Sequence, residues 1–450
     1  MNDYFEIEGW SLPAENSLAL HYRSSKFGAF TEIIEFPETA KSLAAVAQQY
    51  PSLLDLTAVV LGVSYYKTNP TGLVVVKSGF PTEAAARFAH ALYVEGLGEF
   101  YVRNGIKYPP AFRFEAKQAG DDRMPPTAKR NERAIVAFGG GKDSHVALAL
   151  LQRAGVAVEP TSVTLSDKSK NKLQDMSALP LTTISRRIDG ALLEANKAGA
   201  LNGHVPVTAI NSMLLLIYAL LRDADWVVFA NERSADEPTL VAGGHEINHQ
   251  FSKTYRCEEL LRQCLQSLGP GAPDYFSLLR PVSELWIAKV LSQLPDALDK
   301  FSSCNRNFIF SGPNALPPGV RWCGHCAKCV FTALITAPFL PRQRSLEVFG
   351  SDVLDDPANV AMARELVGLS EAKPWDCVGT VREAAAALSH LAEIEAWRDA
   401  EVVRETLAAL HAKWGAEYLR EAYSEAMAAK RIGFLPPKMA FIFDPIVDQS

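Results

Sequence analysis

Residues 134–138, Ala-Ile-Val-Ala-Phe, form a short apolar run that passes without a spacer into Gly139-Gly140-Gly141. Lys142-Asp143-Ser144 follow, and then Val146, Ala147, Leu150, Leu151 and Ala154 recur at helical spacing. A strand, a glycine turn and a helix in direct succession restrict the fold more than any other feature of the chain. Three glycines let the backbone turn tightly and let an anion approach it closely. Their N–H groups, backed by a helix N-terminus, then face a phosphate. Lys142 adds a point charge to such a site, and Asp143 can hold Mg²⁺, which shields phosphate charge. The competing reading is an ordinary turn between a strand and a helix.

A Walker A loop needs Gly-x4-Gly-Lys-Ser/Thr. Counting back from Gly141-Lys142 puts Val136 at the first glycine, and Asp143 follows the lysine, so that loop is excluded. The dinucleotide fingerprint fails at its last position, where Ser144 stands for Gly or Ala. The segment resembles the Ser-Gly-Gly-x-Asp-Ser pattern of the PP-loop ATP pyrophosphatases, matching at Gly140, Gly141, Asp143 and Ser144. It departs at Gly139, which lacks the first serine's hydroxyl contact to phosphate. The resemblance implies an ATP site at Gly139, Gly140, Gly141, Lys142, Asp143 and Ser144, with ATP cleaved between its α and β phosphates to activate a substrate oxygen as an adenylate.

With 450 residues, 48% of them hydrophobic, the chain has material for two or three cores. Residues 5–10, 17–22 and 31–36 resemble strands, and 56–63 and 72–77 are β-branched runs. Residues 82–103 read as a helix, with Thr82 as N-cap and Gly105 just past the end. A polar, proline-containing stretch at 117–132 resembles a linker. Strands at 134–138, 162–165, 181–185 and 226–230 then alternate with helical stretches, including 206–222, which predicts a parallel α/β sheet. After about Ser345 the chain is rich in Ala, Glu and Leu, with helical periodicity through 381–429. The expected architecture is an α+β N-terminal domain (1–130), a candidate for substrate recognition, an α/β ATP-binding domain of the PP-loop, adenine nucleotide alpha hydrolase-like class (131–345), and a helical C-terminal region (346–450).

A net charge of −6, from 45 basic and 51 acidic residues, leaves no electrostatic footprint for nucleic acid. The longest strongly apolar run, 213–221, is far short of the ~20 residues that span a bilayer. The N-terminal residues have neither the basic region nor the apolar stretch of a signal peptide, so a cytoplasmic location is expected.

Three of seven cysteines crowd into Cys323-Gly-His-Cys326-Ala-Lys-Cys329, with Cys304 upstream. Four thiolates complete a closed structural zinc site; free thiols are the alternative. Such crowding resembles the zinc site of PP-loop nitrile-forming enzymes. Cys257, Cys264 and Cys377 read as helix or core residues. His245-Glu246-Ile247-Asn248-His249 spells the zinc metalloprotease motif, but Gly243-Gly244 precede it and weaken the helix that this chemistry requires. His245, His249 and Lys253 are instead candidates for facing the ATP cleft, against an ordinary solvated loop. Asn231 and Glu232 follow the 226–230 strand at its carboxyl end, where ligand crevices form, or else make a capped turn. Arg256 and Arg280 are candidate binders of a substrate carboxylate or phosphate, or else surface charges.

Taken with the glycine loop, the segments Asn231-Glu-Arg-Ser-Ala-Asp-Glu-Pro238, Asn248-His-Gln-Phe-Ser-Lys253, Leu279-Arg-Pro-Val-Ser-Glu-Leu285 and Trp322-Cys-Gly-His-Cys-Ala-Lys-Cys329 resemble one family. It is that of the UDP-N-acetyl-α-D-muramoyl-L-alanyl-L-glutamate epimerases. The resemblance implies an ATP- and Mg²⁺-dependent inversion of the substrate's terminal L-glutamate to D-glutamate, through an acyl-adenylate, for peptidoglycan synthesis. On this reading Asp143, His245, His249 and Lys253 are the candidate catalytic residues. An amide- or nitrile-forming PP-loop ligase and a non-catalytic nucleotide-binding scaffold stay open.

Overall fold

The computed structural model of the chain describes residues 3–118, 131–370, 374, 376 and 378–443. Its twelve strands are β1 (Phe5–Ala14), β2 (Ser17–Ser24), β3 (Gly28–Glu35), β4 (Leu73–Phe80), β5 (Arg113–Gln118), β6 (Arg133–Ala137), β7 (Ala157–Thr164), β8 (Thr182–Arg187), β9 (Trp226–Phe229), β10 (Leu240–Ala242), β11 (His245–Ile247) and β12 (Asp274–Ser277). Ten form one sheet in the order β12-β9-β6-β7-β8-β3-β2-β1-β4-β5, and β10 and β11 form a separate hairpin.

The half from β12 to β8 is parallel throughout. The β8–β3, β3–β2 and β2–β1 pairs are antiparallel, and β1–β4–β5 are parallel again. Strands from both sides of residue 130 therefore share one sheet. The central strands are buried on both faces. Ala134, Val136 and Phe138 enter one core, with Trp226, Val228 and Phe276, while Ile135, Val227, Phe229 and Tyr275 enter the other. That two-sided burial is why residues 134–138 read as an unbroken apolar run.

The helix expected over 82–103 starts as expected, with Thr82 Oγ1 accepting the Ala85 N–H at 3.1 Å. It is two helices, Glu83–Val94 and Gly98–Arg103, because Gly96 N–H bonds back to the Ala91 carbonyl and closes the first. The β-branched run at 56–63 lies inside the helix Pro51–Tyr66. Proline at its first position suits a helix start, and burial of nearly its whole surface removes any amphipathic period. Most of the linker expected at 117–132 lies outside the described residues, as does Cys377. From residue 346 onward the described residues contain helices and no strand, with Val381–Leu391, Glu401–Trp414 and Ala416–Ala426 packed together. No helix among the described residues is long and apolar enough to cross a membrane.

The β3–β8 junction buries an ion pair. Arg186 donates to Glu32 through Nε and to Ser64 Oγ at 2.9 Å, and the Glu32 side chain is fully buried. Removing one partner strands the other charge in a dry interior. Arg186→Ala is expected to lose about 3–5 kcal/mol of stability, read by urea unfolding; a loss below about 1 kcal/mol, the range of exposed pairs, would show that the junction does not depend on this pair.

Candidate functional site

From β6 the chain runs through β7 to β8 on one side, then returns to place β9 and β12 on the other. The sheet order reverses between β6 and β9, and ligand crevices form outside the carboxyl ends of strands at such a switch point. A cavity of about 630 Å³ opens there. Gly139, Gly141, Lys142, Asp143 and Ser144 line it from β6, and Asn231 and Glu232 from β9. Gln250, Lys253, Glu284 and the Ser302–Asn305 segment complete much of the wall.

The glycine loop joins β6 directly to the helix Lys142–Arg153, with Gly141 as its N-cap. The three glycines are not equivalent. Gly140 has φ +73°, and a Cβ there would lie 2.3 Å from Met176 Cε. A Cβ at Gly139 would meet nothing within 4 Å. The loop carbonyls are held by protein donors: Ser162 Oγ bonds to Phe138 O, Ser302 N to Gly140 O at 3.0 Å, and Ser144 Oγ to Gly141 O at 2.9 Å.

Lys142 is buried, with Nζ 2.8 Å from Asp143 Oδ1 and paired with Glu284. Burial alone would lower its pKa, but the two carboxylates hold the ammonium above the usual lysine range. Glu284, beginning the helix Glu284–Ser292, is pushed up to about 8 by burial, against the pull of Lys142. Glu232 is pushed up to about 7 by burial and by Glu383, although Ser234 donates to it through N–H and O–H. Glu383, whose Oε1 accepts the Leu285 N–H at 2.7 Å, is raised to about 7 by burial and Glu284. Around Lys142 the carboxyl groups are in excess, and burial raises the pKa of Glu232, Glu284 and Glu383. Asp143, Glu232 and Glu284 offer the oxygen donors that suit Mg²⁺.

Several expected site residues stand elsewhere. His245 and Glu246 belong to β11, paired with β10 across a turn at Gly243 and Gly244, both at positive φ. The two histidines therefore do not share a helical face, and the metalloprotease geometry is absent. His245 packs edge-on against Tyr108, and His249 is buried with Nδ1 2.7 Å from Thr239 Oγ1; neither lines the cavity. Of the three basic groups, Lys253 does.

Arg256 makes a two-pronged pair with Glu95, at 2.8 and 2.9 Å, outside the cavity. Arg280 is 1% exposed and donates to the carbonyls of Glu232 (2.9 Å) and Lys253 (2.8 Å) and to Glu258 (2.9 Å). It therefore positions two cavity residues from beneath instead of presenting itself to an anion. Asn231 Nδ2 bonds to Ser277 Oγ at 3.0 Å, tying the ends of β9 and β12.

Sequence reading missed Glu284 and Glu383. Glu284 had a local signal, its Ser283 N-cap after a strand end, whereas Glu383 arrives from a helix about a hundred residues later and had none. The thiols of Cys304, Cys323, Cys326 and Cys329 lie within 4.8 Å of one another. They are the one such metal-capable group among the described residues. Cys257 and Cys264 are buried in the helix Tyr255–Leu268.

Two family models match the chain: the MurL N-terminal domain over residues 2–278 and the MurL C-terminal domain over residues 300–421. The chain belongs to the MurL family. Proteins named UDP-N-acetyl-alpha-D-muramoyl-L-alanyl-L-glutamate epimerase are similar to it along most of their length. That of Salinispora tropica is 40% identical over 83% of this chain and 80% of its own, and that of a Micromonospora species 42% identical over 83% of each. That of Xanthomonas oryzae pv. oryzae is 36% identical over 89% and 88%. The cavity draws on both MurL segments: the glycine loop, Asn231, Glu232 and Lys253 come from the first, and Ser302–Asn305 and Lys328 from the second. Glu284 lies between them.

Gly140→Ala is expected to lower the melting temperature well below that of Gly139→Ala, since only the former combines a left-handed backbone with a clash. Equal melting temperatures would refute this geometry. A second expectation concerns pH. A carboxyl whose pKa is raised in the folded state binds more protons folded than unfolded. It therefore costs stability as pH rises from its unfolded value, about 4.3, through the folded one, about 7 for Glu383. Glu284 opposes its charge, while Arg233, Ser283 and the Leu285 N–H favour it. Glu383→Gln should match wild type near pH 4 and become more stable than it by about 1–3 kcal/mol at pH 8. A difference independent of pH would contradict the assignment.

Proposed function

We propose that the chain is an ATP- and Mg²⁺-dependent epimerase that inverts the terminal L-glutamate of UDP-N-acetylmuramoyl-L-Ala-L-Glu to D-glutamate, for peptidoglycan synthesis. The observation that carries the reading is the placement of the glycine loop and Asp143 at the switch-point cavity, in a chain whose relatives are named for that epimerisation.

The chemistry requires such a site. A free carboxylate makes its own α-proton very weakly acidic, because deprotonation sets a second negative charge beside the first. In the proposed sequence a carboxylate oxygen attacks the α-phosphorus of ATP and pyrophosphate leaves. The resulting acyl-adenylate carbonyl accepts the electrons released when the α-proton is taken, and reprotonation on the opposite face inverts the centre. Water then cleaves the mixed anhydride, restoring the carboxylate and releasing AMP. The two diastereomers differ little in energy, so ATP cleavage drives the conversion.

The glycine loop and the helix N-terminus behind it supply backbone donors for the phosphates. Asp143 would hold Mg²⁺, which would shield phosphate charge and favour departure of pyrophosphate. Lys142, neutralised by its carboxylate partners, anchors Asp143 to Glu284. Lys253 and Glu232 are the proposed proton-transfer groups, because both line the cavity and Arg280 fixes both backbones. Of the other candidate catalytic residues, His245 and His249 do not line it.

In deuterated water the L-glutamate substrate should become D-glutamate product carrying one deuterium at the α-carbon, with AMP and pyrophosphate formed alongside. Without ATP, or with an α,β-non-cleavable analogue, no deuterium should enter. Asp143→Ala should abolish AMP formation while the chain stays folded, as a partly exposed residue in a helix's first turn carries little packing. Inversion without ATP, or cleavage to ADP and phosphate, would overturn the reading.

A further inference from the structure

Cys304 follows the cavity segment Ser302-Ser303, and Cys323, Cys326 and Cys329 lie beyond a loop of residues 305–322. The thiols nevertheless meet: Cys323 and Cys329 Sγ are 3.7 Å apart, and Cys326 and Cys329 Sγ 3.4 Å. An ion with bonds of about 2.3 Å to four sulfurs sets them about 3.8 Å apart at the corners of a tetrahedron. All six pairs of sulfur atoms here fall within 4.8 Å, near that spacing. An iron–sulfur cluster would need at least some of them further apart, because its thiolates are divided among two or four irons.

The surrounding backbone has the form of a metal knuckle. Gly324 turns at φ +80°, and the Cys326 N–H points to Cys323 Sγ at 3.4 Å. Cys326 is also the N-cap of the helix Ala327–Thr336, whose N-terminus favours thiolate over thiol. Asn359 Nδ2 holds the Gly324 carbonyl at 2.9 Å and that of Val353 at 2.8 Å, keeping the turn in place. His325 faces Asn359 and Asp356 and is no part of the sulfur group.

The position of the group gives it a task. It joins the two ends of the 305–322 loop, which carries the exposed side chains Phe308, Ile309, Phe310 and Val320, with Phe308 in the cavity wall. Ser302 links the same region to the glycine loop: its N–H bonds to Gly140 O at 3.0 Å and its Oγ to Arg321 O at 2.7 Å. Asn307 Nδ2 reaches Met176 Sδ at 3.3 Å, the side chain that covers Gly140.

We propose that Cys304, Cys323, Cys326 and Cys329 hold one Zn²⁺ in a closed tetrathiolate site, and that this ion clasps the ends of the 305–322 loop and so fixes one wall of the cavity. Four thiols lose their protons on binding, no electron is transferred, and no open position is left for catalysis. The proposal does not depend on the reaction assigned above, and none of its tests measures turnover.

The full chain, purified under reducing conditions without chelator, should contain about one zinc per chain by elemental analysis. Cys326→Ser should lose at least about nine-tenths of it, while Cys257→Ser, outside the group, should keep it. Because the serine variant can misfold, the wild-type protein supplies the second measurement. Stripping its zinc with a chelator should speed tryptic cleavage after Arg306 and Arg321 by about fivefold or more, by freeing the loop. Re-added Zn²⁺ should restore resistance and Mg²⁺ should not. Metal-free protein with four reactive thiols, a disulfide within the group, iron in place of zinc, zinc retained by Cys326→Ser, or cleavage indifferent to stripping would each overturn the proposal.

Discussion

The parallel hydrogen-bonded ladder of β7, β6 and β9 is the constraint on which the site depends. Because these strands run the same way, their carboxyl ends open on one side of the sheet. Because the chain leaves β6 toward β7 and returns at β9, a crevice opens between those ends. The glycine loop and Asn231-Glu232 meet there although about ninety residues separate them. Reversing one strand would send its terminal residues to the far edge. Side chains decorate this arrangement; the backbone creates it.

Charge inside the molecule is distributed by function. At the β3–β8 junction, Arg186 and Glu32 compensate each other in the interior and bind the two sheet halves. Beneath the cavity, Arg280 spends its donors on two backbone carbonyls and Glu258. Beside the glycine loop, Lys142 faces Asp143 and Glu284, and Glu232 and Glu383 bear on the same buried group. Burying carboxylates costs free energy unless they are paired. The raised pKa values of Glu232, Glu284 and Glu383 express that cost, and a bound cation would relieve it.

The cavity also ties the chain together. Glu383, on a C-terminal helix, accepts the N–H of Leu285 beside Glu284. Ser302 bonds to the glycine loop, and Val378 reaches the cavity from the far end of the chain. The C-terminal region, which reads in the sequence as helices packed as core, therefore supplies part of the site's wall through Val378 and part of its electrostatics through Glu383.

The sequence by itself determined the features that depend on neighbours along the chain. Residues 134–144 declare a strand, a turn and a helix, since two-sided burial demands continuous apolar residues and a left-handed turn demands glycine at 140. The Cys323–Cys329 spacing likewise brings three thiols into one knuckle. Tertiary structure decided whatever depends on partners remote in sequence. Leu56 to Val63 became helical because the surrounding core buries that helix on all sides and erases its period. His245 was set in a strand and His249 beyond that strand's end, although their spacing suits a helix. Arg256 was claimed by Glu95, and Arg280 by carbonyls at 232 and 253. A side chain's type fixes what it can bond, but its role follows from which partners the fold delivers, and no local pattern carries that information.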